Sequence, residues 1–336
     1  MKINEVGEKD LIKILDKLIS KNKKKLKSNS LVNQLISIGD DGSVWSDNSA
    51  NYCITTDSMI ENVHFNQQFT NWQDLGWKAI SVNQSDIAAM GFDPLYCVVS
   101  IGIPKNTEIQ SLKKLYKGMI EAIKKNGGEI VGGDTVHSPI ITINISMIGI
   151  RKLNNDNKRN FLSRSKAKPK DLIAVTGYLG SSAGGFEILK NTQNVEGKIT
   201  KYLKKAHLKP QPKVQTGIEL CDHGINSAID ISDGLVQDIT RICKASNVGA
   251  KILTNKIPVH KYLKKAFPEN WLSFALNGGE DYELLFTGPS NLIKQICEKT
   301  KTKITIIGEI TKSKKVEIVN KTNQKITKNE WEHFIK

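Results

Sequence analysis

The sequence is short of negative charge. Thirty-four Asp and Glu stand against 49 Lys and Arg, a formal charge of +15 over 336 residues, so acidic residues that gather in motifs are what must be explained. Arginine is nearly absent too: only Arg151, Arg159, Arg164 and Arg241 occur. Arginine forks are the preferred readers of phosphate and base edges, and the lysines are scattered in short polar runs (21–27, 201–205, 311–315). That balance argues against a nucleic-acid-binding protein and favours anionic small substrates. The five cysteines are odd in number and form no CxxC, which excludes a disulfide framework and a zinc site. No apolar run reaches the roughly 18 residues that span a membrane. The Lys-rich start lacks the apolar core and cleavage site of a secretory signal, so a cytoplasmic protein is expected. A P-loop, the HRD and DFG kinase motifs and a Rossmann GxGxxG are all missing. Neither Ser181 and Ser182 nor the histidines form a nucleophile motif.

What is present is mixed periodicity in both halves. Residues 8–26 place Leu11, Ile14, Leu15 and Leu18 at helical spacing. "ANYCITTD" reads as a strand ending at Asp57, and "DLGWKAISVNQSDIAAMG" as a helix with Leu75, Ala79, Val82, Asp86 and Ala89 on one face, closed by Gly91. A buried strand "LYCVVSIGIP", a helix over 108–126, a short strand and turn "EIVGGDT" and a long alternating strand over 140–150 follow. Residues 151–171 are polar and basic without apolar periodicity, which predicts domains at 1–150 and 151–336. Beyond them come strand 172–176, a helix from about 182, a Lys-rich patch, helix 211–222, strand 226–231 and helix 234–246. "SFALNGGEDYELLFTG" bends from helix to strand, and "KITIIGEI" and "KVEIV" are late strands. Strands mixed with helices in each half predict a two-domain protein of the α/β (α+β) class.

The scarce acids sit at the ends of apolar segments. Asp40 and Asp41 follow one in "ISIGDDGSVW", Asp57 ends "CITTD", and Asp134 lies in "IVGGDT". Asp230 and Asp233 bracket "IDISDGL", and Glu280 and Asp281 stand in "LNGGEDYELL". Strand ends beside Gly-rich turns are where α/β folds gather ligand-binding groups. Asp86, on a helix face that is otherwise apolar, has to be paired or bound to metal. Singly, each acid reads as a helix cap or one half of an ion pair, and Asp233 could cap the helix that begins at Gly234. Together, oxygen ligands from separate strands suit Mg²⁺, which seats polyphosphate beside carboxylates. "GYLGSSAGG", residues 177–185, precedes a helix and could hold an anion at its N-terminus. Adjacent Asp40 and Asp41 point to opposite sides of an extended segment, which leaves open which of them faces a ligand.

Taken in order, "IGDDGSV", "TTDSMIENVHF", "GWKAISVNQSDIAAMGFDP", "GGDTVHSP", "RSKAKPKD", "AIDISDGL", "GGEDYELLFT" and a terminal "WEHF" span residues 38–334. They resemble the thiamine-monophosphate kinase family, of the superfamily that includes aminoimidazole ribonucleotide synthetase and selenophosphate synthetase. The resemblance implies ATP-dependent phosphorylation of thiamine monophosphate to thiamine diphosphate, the last step in making that cofactor, by direct transfer without a general base. It also implies a homodimer closed through strands of the N-terminal domain, with the nucleotide and metals between the two domains. Mg²⁺ ligands would be Asp40, Thr55, Thr56, Asp57, Asp86, Asp134, Asp230 and Asp233. ATP would meet Tyr116, Gly133, Asp134, Arg164 and Ser232. Thiamine monophosphate would meet His64, Glu280 or Asp281, and Trp331. Read without the resemblance, Tyr116 and Trp331 are packing aromatics and His64 a solvated loop residue. Asn62 stands where the family usually has glycine, Lys166 and Lys170 replace glycines around Arg164, and Glu332 replaces an aspartate. A relative that activates another acceptor with ATP would share the metal acids but not the pocket around His64 and Trp331.

Overall fold

The computed structural model describes residues 8–23, 33–47, 49–153, 160–191 and 196–322. Its first half runs α1 (Glu8–Lys23), β1 (Asn33–Ile36), β2 (Ser43–Ser46), β3 (Ala50–Ile60), α2 (Trp72–Ala89), β4 (Asp93–Ile103), α3 (Ile109–Asn126), β5 (Ile130–His137) and β6 (Thr142–Lys152). The six strands form one sheet in the order β1-β2-β3-β6-β4-β5, antiparallel except for the parallel pair β4 and β5. Period-two alternation gives this sheet two unlike faces. Cys53, Met59, Cys97, Val99, Ile101, Ile143, Ile145 and Met147 are buried in one core with Leu75, Ile80, Leu115 and Met119, while Ile54, Tyr96 and Val98 are exposed.

The second half carries β7 (Leu172–Thr176), α4 (Ser181–Lys190), α5 (Gly197–Leu208), α6 (Val214–Asp222), β8 (Ser227–Asp230), α7 (Leu235–Ser246), β9 (Gly249–Leu253), α8 (Lys261–Ala266), α9 (Trp271–Asn277), β10 (Leu284–Gly288), α10 (Ser290–Lys299), β11 (Ile304–Thr311) and β12 (Val316–Val319). Its sheet has the order β12-β9-β11-β7-β10-β8, antiparallel apart from β12 against β9. The mixed α/β class expected from the sequence is therefore what forms. Among the described residues no helix is long and apolar enough to cross a membrane.

Helix α2 joins the two halves. Asn71 caps it by accepting from the Asp74 amide at 2.9 Å. Small residues (Ala79, Ser81, Ser85, Ala88, Ala89) let α2 be buried nearly all round, with contacts to β3, β6 and α3 on one side and α6 and β8 on the other. The crossing with α3 is closest at two glycines: a Cβ on Gly76 would overlap the Leu115 carbonyl oxygen, and one on Gly118 the carbonyl oxygen of Gln73.

Several segments differ from the sequence reading. Strand β3 continues to Ile60, so Asp57 lies inside the strand rather than at its end, and Asp134 lies within β5. The Lys-rich patch is helix α5, where Ile199, Leu203 and His207 form a buried stripe at i, i+4, i+8 beneath the lysines. Strands β1, β2 and β9 and helices α8 and α10 were not legible as elements, each being short or dominated by polar residues.

Gly118→Ala should lower the urea-unfolding free energy by about 1–3 kcal/mol or more, because backbone, not a movable side chain, meets the new methyl. An unchanged midpoint would show that α2 and α3 part freely.

Candidate active site

The site begins with three carboxylates brought in by three elements. Asp41 precedes β2, Asp86 lies on α2 and Asp230 ends β8; one oxygen of each lies within 4.8 Å of the others. Thr55 of β3 donates to Asp86 Oδ2 at 2.5 Å, and Ser85 of α2 donates to Asp230 Oδ2 at 2.8 Å. Ser232 Oγ approaches Asp230 Oδ1 at 3.3 Å. Asp41 is 8% exposed, yet its Oδ2 has no protein donor. A buried acceptor left open in this way asks for a ligand.

The adjacent acids of the GDDG turn divide the work. Asp40 accepts from Ser163 Oγ at 2.7 Å and from the Arg164 amide at 3.2 and 3.3 Å. Asp41 pairs closely with the Arg164 guanidinium, which also lies 3.7 Å from Asp40 Oδ1, and an oxygen of Asp41 belongs to the cluster. Of the two acids, Asp41 is the one that groups with Asp86 and Asp230. Arg164 sits in a single 3-10 turn (Arg164–Lys166) capped by Ser163. Asn62 and Lys170, at two of the positions where glycine is usual, adopt φ of 64° and 77°. Asparagine tolerates that region, whereas lysine pays strain there.

The same alternation splits "TTD". Thr55 and Asp57 share the inner face of β3, while Thr56 is on the outer face, donating to the Ile145 carbonyl at 3.1 Å. The Thr56 hydroxyl therefore does not join the cluster. Asp233, in the loop after β8, pairs with Arg241 and accepts from Gln237 Nε2 at 3.1 Å. It does not cap α7; Asp238 instead accepts from the Asp233 and Gly234 amides.

The 280–283 loop resolves a second pair. Asp281 accepts from the amides of Gly180 at 2.6 Å and Ser182 at 3.1 Å, so the anion held at the N-terminus of α4 is the protein's own. Glu280 turns the other way, to Lys78 Nζ at 2.7 Å and His207 Nδ1 at 3.3 Å. Burial works against its ionisation, yet Lys78 above all holds its carboxyl below the ordinary value. Burial and Lys78 push His207 down to about 4, so the imidazole is neutral. His64 accepts the Ile60 amide at 3.1 Å through Nδ1. Lys78 was missed from the sequence, although a buried charge on this helix is the same kind of signal that singled out Asp86 on its apolar face. Glu280 and Tyr282 have φ of 63° and 50°, strain typical of a working loop.

Three predicted residues are elsewhere. Gly133 and Asp134 lie on edge strand β5, exposed, with Asp134 Oδ1 accepting the Thr135 amide at 2.9 Å. From Asp57 the register runs through Ile145 and Val99 to Gly133, three strand spacings or about 14 Å. Tyr116 is half-buried on α3 against the first core. Trp331, with Glu332, lies outside the described residues.

Two family models match the chain: AIR synthase related protein, N-terminal domain, over residues 39–151, and its C-terminal domain over residues 168–321. The chain is 39% identical over 330 residues to the thiamine-monophosphate kinase of Buchnera aphidicola subsp. Schizaphis graminum (strain Sg), covering 96% of this chain and 98% of that one. It is 31% identical over 337 residues to that of Aquifex aeolicus (strain VF5), covering 99% and 100%. The structure of AaThiL complexed with AMPPCP and TMP is similar, with a TM-score of 0.84 at 29% identity and 99% of both chains covered.

Electrostatics of the cluster follow from its burial. Desolvation first, then the charge of Asp41, pushes Asp230 up to about 7. Burial, then Asp233, pushes Asp57 up to about 6, and burial, then Asp41, does the same for Asp40. Asp86 is also raised, by burial and then by Asp57 and Asp230. An acid raised in the folded state contributes stability that is complete below its unfolded value and lost as pH rises through the folded one. Without metal, the protein should therefore melt at lower temperature as pH climbs from about 4 to 7. Asp230→Asn should reduce that slope by up to about 1.4 kcal/mol per pH unit. Calorimetry in EDTA across that range checks it; an unaltered slope would mean that Asp230 ionises without penalty.

Proposed function

The chain belongs to the thiamine-monophosphate kinase family of AIR synthase related proteins, and we propose that it transfers the γ-phosphoryl group of ATP in line onto the phosphate of thiamine monophosphate, with Mg²⁺ held by the carboxylates of the cleft. It is a kinase with ATP as co-substrate. The observation that carries the metal reading is the grouping of carboxylate oxygens of Asp41, Asp86 and Asp230 within 4.8 Å of one another, with the buried Asp41 Oδ2 lacking a protein donor. Three hard oxygen donors, with no sulfur or imidazole among them, fit magnesium rather than zinc. Asp57, on the same strand face as Thr55, and Asp233 would extend the set, and Asp40 would brace Arg164 from behind. Asp134 and Thr56 are assigned to metal by family likeness alone.

When bound, Mg²⁺ supplies charge neutralisation and alignment between two anionic substrates. The protein supplies the rest. Arg164 places a guanidinium beside the cluster, where its fork steadies phosphate oxygens. Ser232 lies on the same side, while Tyr116, Gly133 and Asp134 are assigned to the nucleotide along the edge of the first sheet. The acceptor phosphate is already ionised near neutral pH, its second pKa being about 6, so no residue has to remove a proton. Glu280, kept charged by Lys78, faces the His64 side and offers a negative partner to a positively charged thiazolium. Trp331 is assigned to the same substrate.

In this reading residues 1–150 form the ATP- and metal-binding unit that dimerises, and 151–336 the second α/β domain. The homodimer is supported by the exposed apolar side chains of the outer sheet face, Ile54, Tyr96 and Val98, and by Val131 and Val136 on edge strand β5. A cytoplasmic location is supported by five unpaired cysteines, four of them buried.

Incubated with ATP, Mg²⁺ and thiamine monophosphate, the protein should form thiamine diphosphate, and EDTA should abolish it. Asp41→Asn and Asp86→Asn should each cost about a thousandfold in turnover, and Asp40→Asn less. Phosphorylation of a different acceptor, or near-normal turnover of Asp86→Asn at limiting Mg²⁺, would sink the reading. Light scattering should give twice the 37.4 kDa chain mass, and Val98→Glu should shift it toward one chain; a monomeric parent protein would refute the dimer.

A further inference from the structure

Behind the Asp233 loop lies a pair of charged residues that the transfer itself does not use. Asp238, one turn into α7, is 0% exposed. Its Oδ2 accepts from the backbone amides of Asp233 at 3.2 Å and Gly234 at 3.1 Å, and its Oδ1 accepts from Arg241 Nη1 at 2.8 Å. The other arm of the same guanidinium, Nη2, donates to Asp233 Oδ2. Gln237 donates to that oxygen as well, at 3.1 Å. Among the described residues both donors to the Asp233 carboxylate use Oδ2, which leaves Oδ1 without one.

A carboxylate buried to this degree is costly unless it is fully paired, and every partner of Asp238 lies on, or leads to, the Asp233 turn. Its two amide bonds fix the backbone of residues 233 and 234. Through Arg241 it also fixes the side chain, engaging one oxygen and sparing the other. We infer that Asp238 and Arg241 are positioning residues that hold the Asp233 carboxylate with one oxygen presented to a divalent cation. The inference rests on the reading of Asp233 as a metal ligand.

The test is Mn²⁺ binding, read from the EPR signal of the free ion in the presence of a non-hydrolysable ATP analogue, so that no turnover is needed. Supporting groups behind a ligand are typically worth about 10–100-fold in metal affinity. Asp238→Asn and Arg241→Lys should therefore weaken Mn²⁺ binding by about tenfold or more. In turnover they should raise the Mg²⁺ needed for half-maximal rate by a like factor, while the rate at saturating Mg²⁺ stays within about threefold. In an Asp233→Asn background the Arg241→Lys change should add nothing, because its route to the metal is already gone. Should Asp238→Asn fail to fold, Arg241→Lys, which keeps a cation in place but loses the two-armed fork, decides the matter alone. If Asp233→Asn weakens Mn²⁺ binding and Arg241→Lys does not, or lowers only the melting temperature, the positioning role is overturned. If Asp233→Asn itself leaves Mn²⁺ binding unchanged, the ligand reading falls and takes this inference with it.

Discussion

Everything about this molecule is arranged around carboxylates that repel one another in a place where water cannot screen them. Two unit charges 4 Å apart interact by about 4 kcal/mol at the effective dielectric of a protein surface, and here Asp41, Asp86 and Asp230 bring oxygens within 4.8 Å. Such a group persists only if protons, donors or cations answer it. Thr55 and Ser85 answer with hydroxyls, Arg164 with a guanidinium, and burial itself by favouring the protonated acids. No single sheet could deliver all of these. Asp41, Thr55 and Asp57 come with the first sheet, Asp230 and Asp233 with the second, and α2, wedged between them, contributes Ser85 and Asp86 on consecutive residues.

The wedge explains other features. A helix buried on all sides tolerates polar residues only where partners wait, and α2 carries Lys78 as well as Asp86. Lys78 reaches out of the first half to Glu280 in the second, so an ion pair ties the halves together. The surplus of lysine takes little part in this. The cations beside the aspartates of the cleft are Arg164 and Arg241, half of the arginines in the chain, used where a planar fork can join two carboxylates.

Internal anions also occupy sites that might have been read as free. The helix N-terminus after "GYLG" holds Asp281, and burial pushes that carboxyl up to about 7 in spite of two amide donors. Glu280, its neighbour, is left to face the cleft. Adjacent acids thus take different partners in both acidic pairs of the chain: Asp40 and Asp281 accept backbone amides, while Asp41 and Glu280 pair with Arg164 and Lys78.

The sequence by itself determined which segments matter. Acids are scarce in it, so their placement at strand ends and on the apolar face of α2 stood out, and the order of motifs carried the family. Strands β3, β4 and β6 and helices α2 and α3 were legible because each is long enough to display its period. Helix α5 was not, because lysines crowd its surface and leave only a three-residue buried stripe. Tertiary structure alone decided which oxygen faces which. Alternation along β3 sends Thr56 away from Asp57, the turn at Gly39 to Gly42 aims Asp41 inward and Asp40 at Ser163, and the amides of α4 claim Asp281. Those outcomes depend on partners more than 80 residues distant in the chain, Ile145 for Thr56, Ser163 for Asp40 and Gly180 for Asp281. A local pattern fixes what a residue can offer, but only the packed fold fixes what it meets.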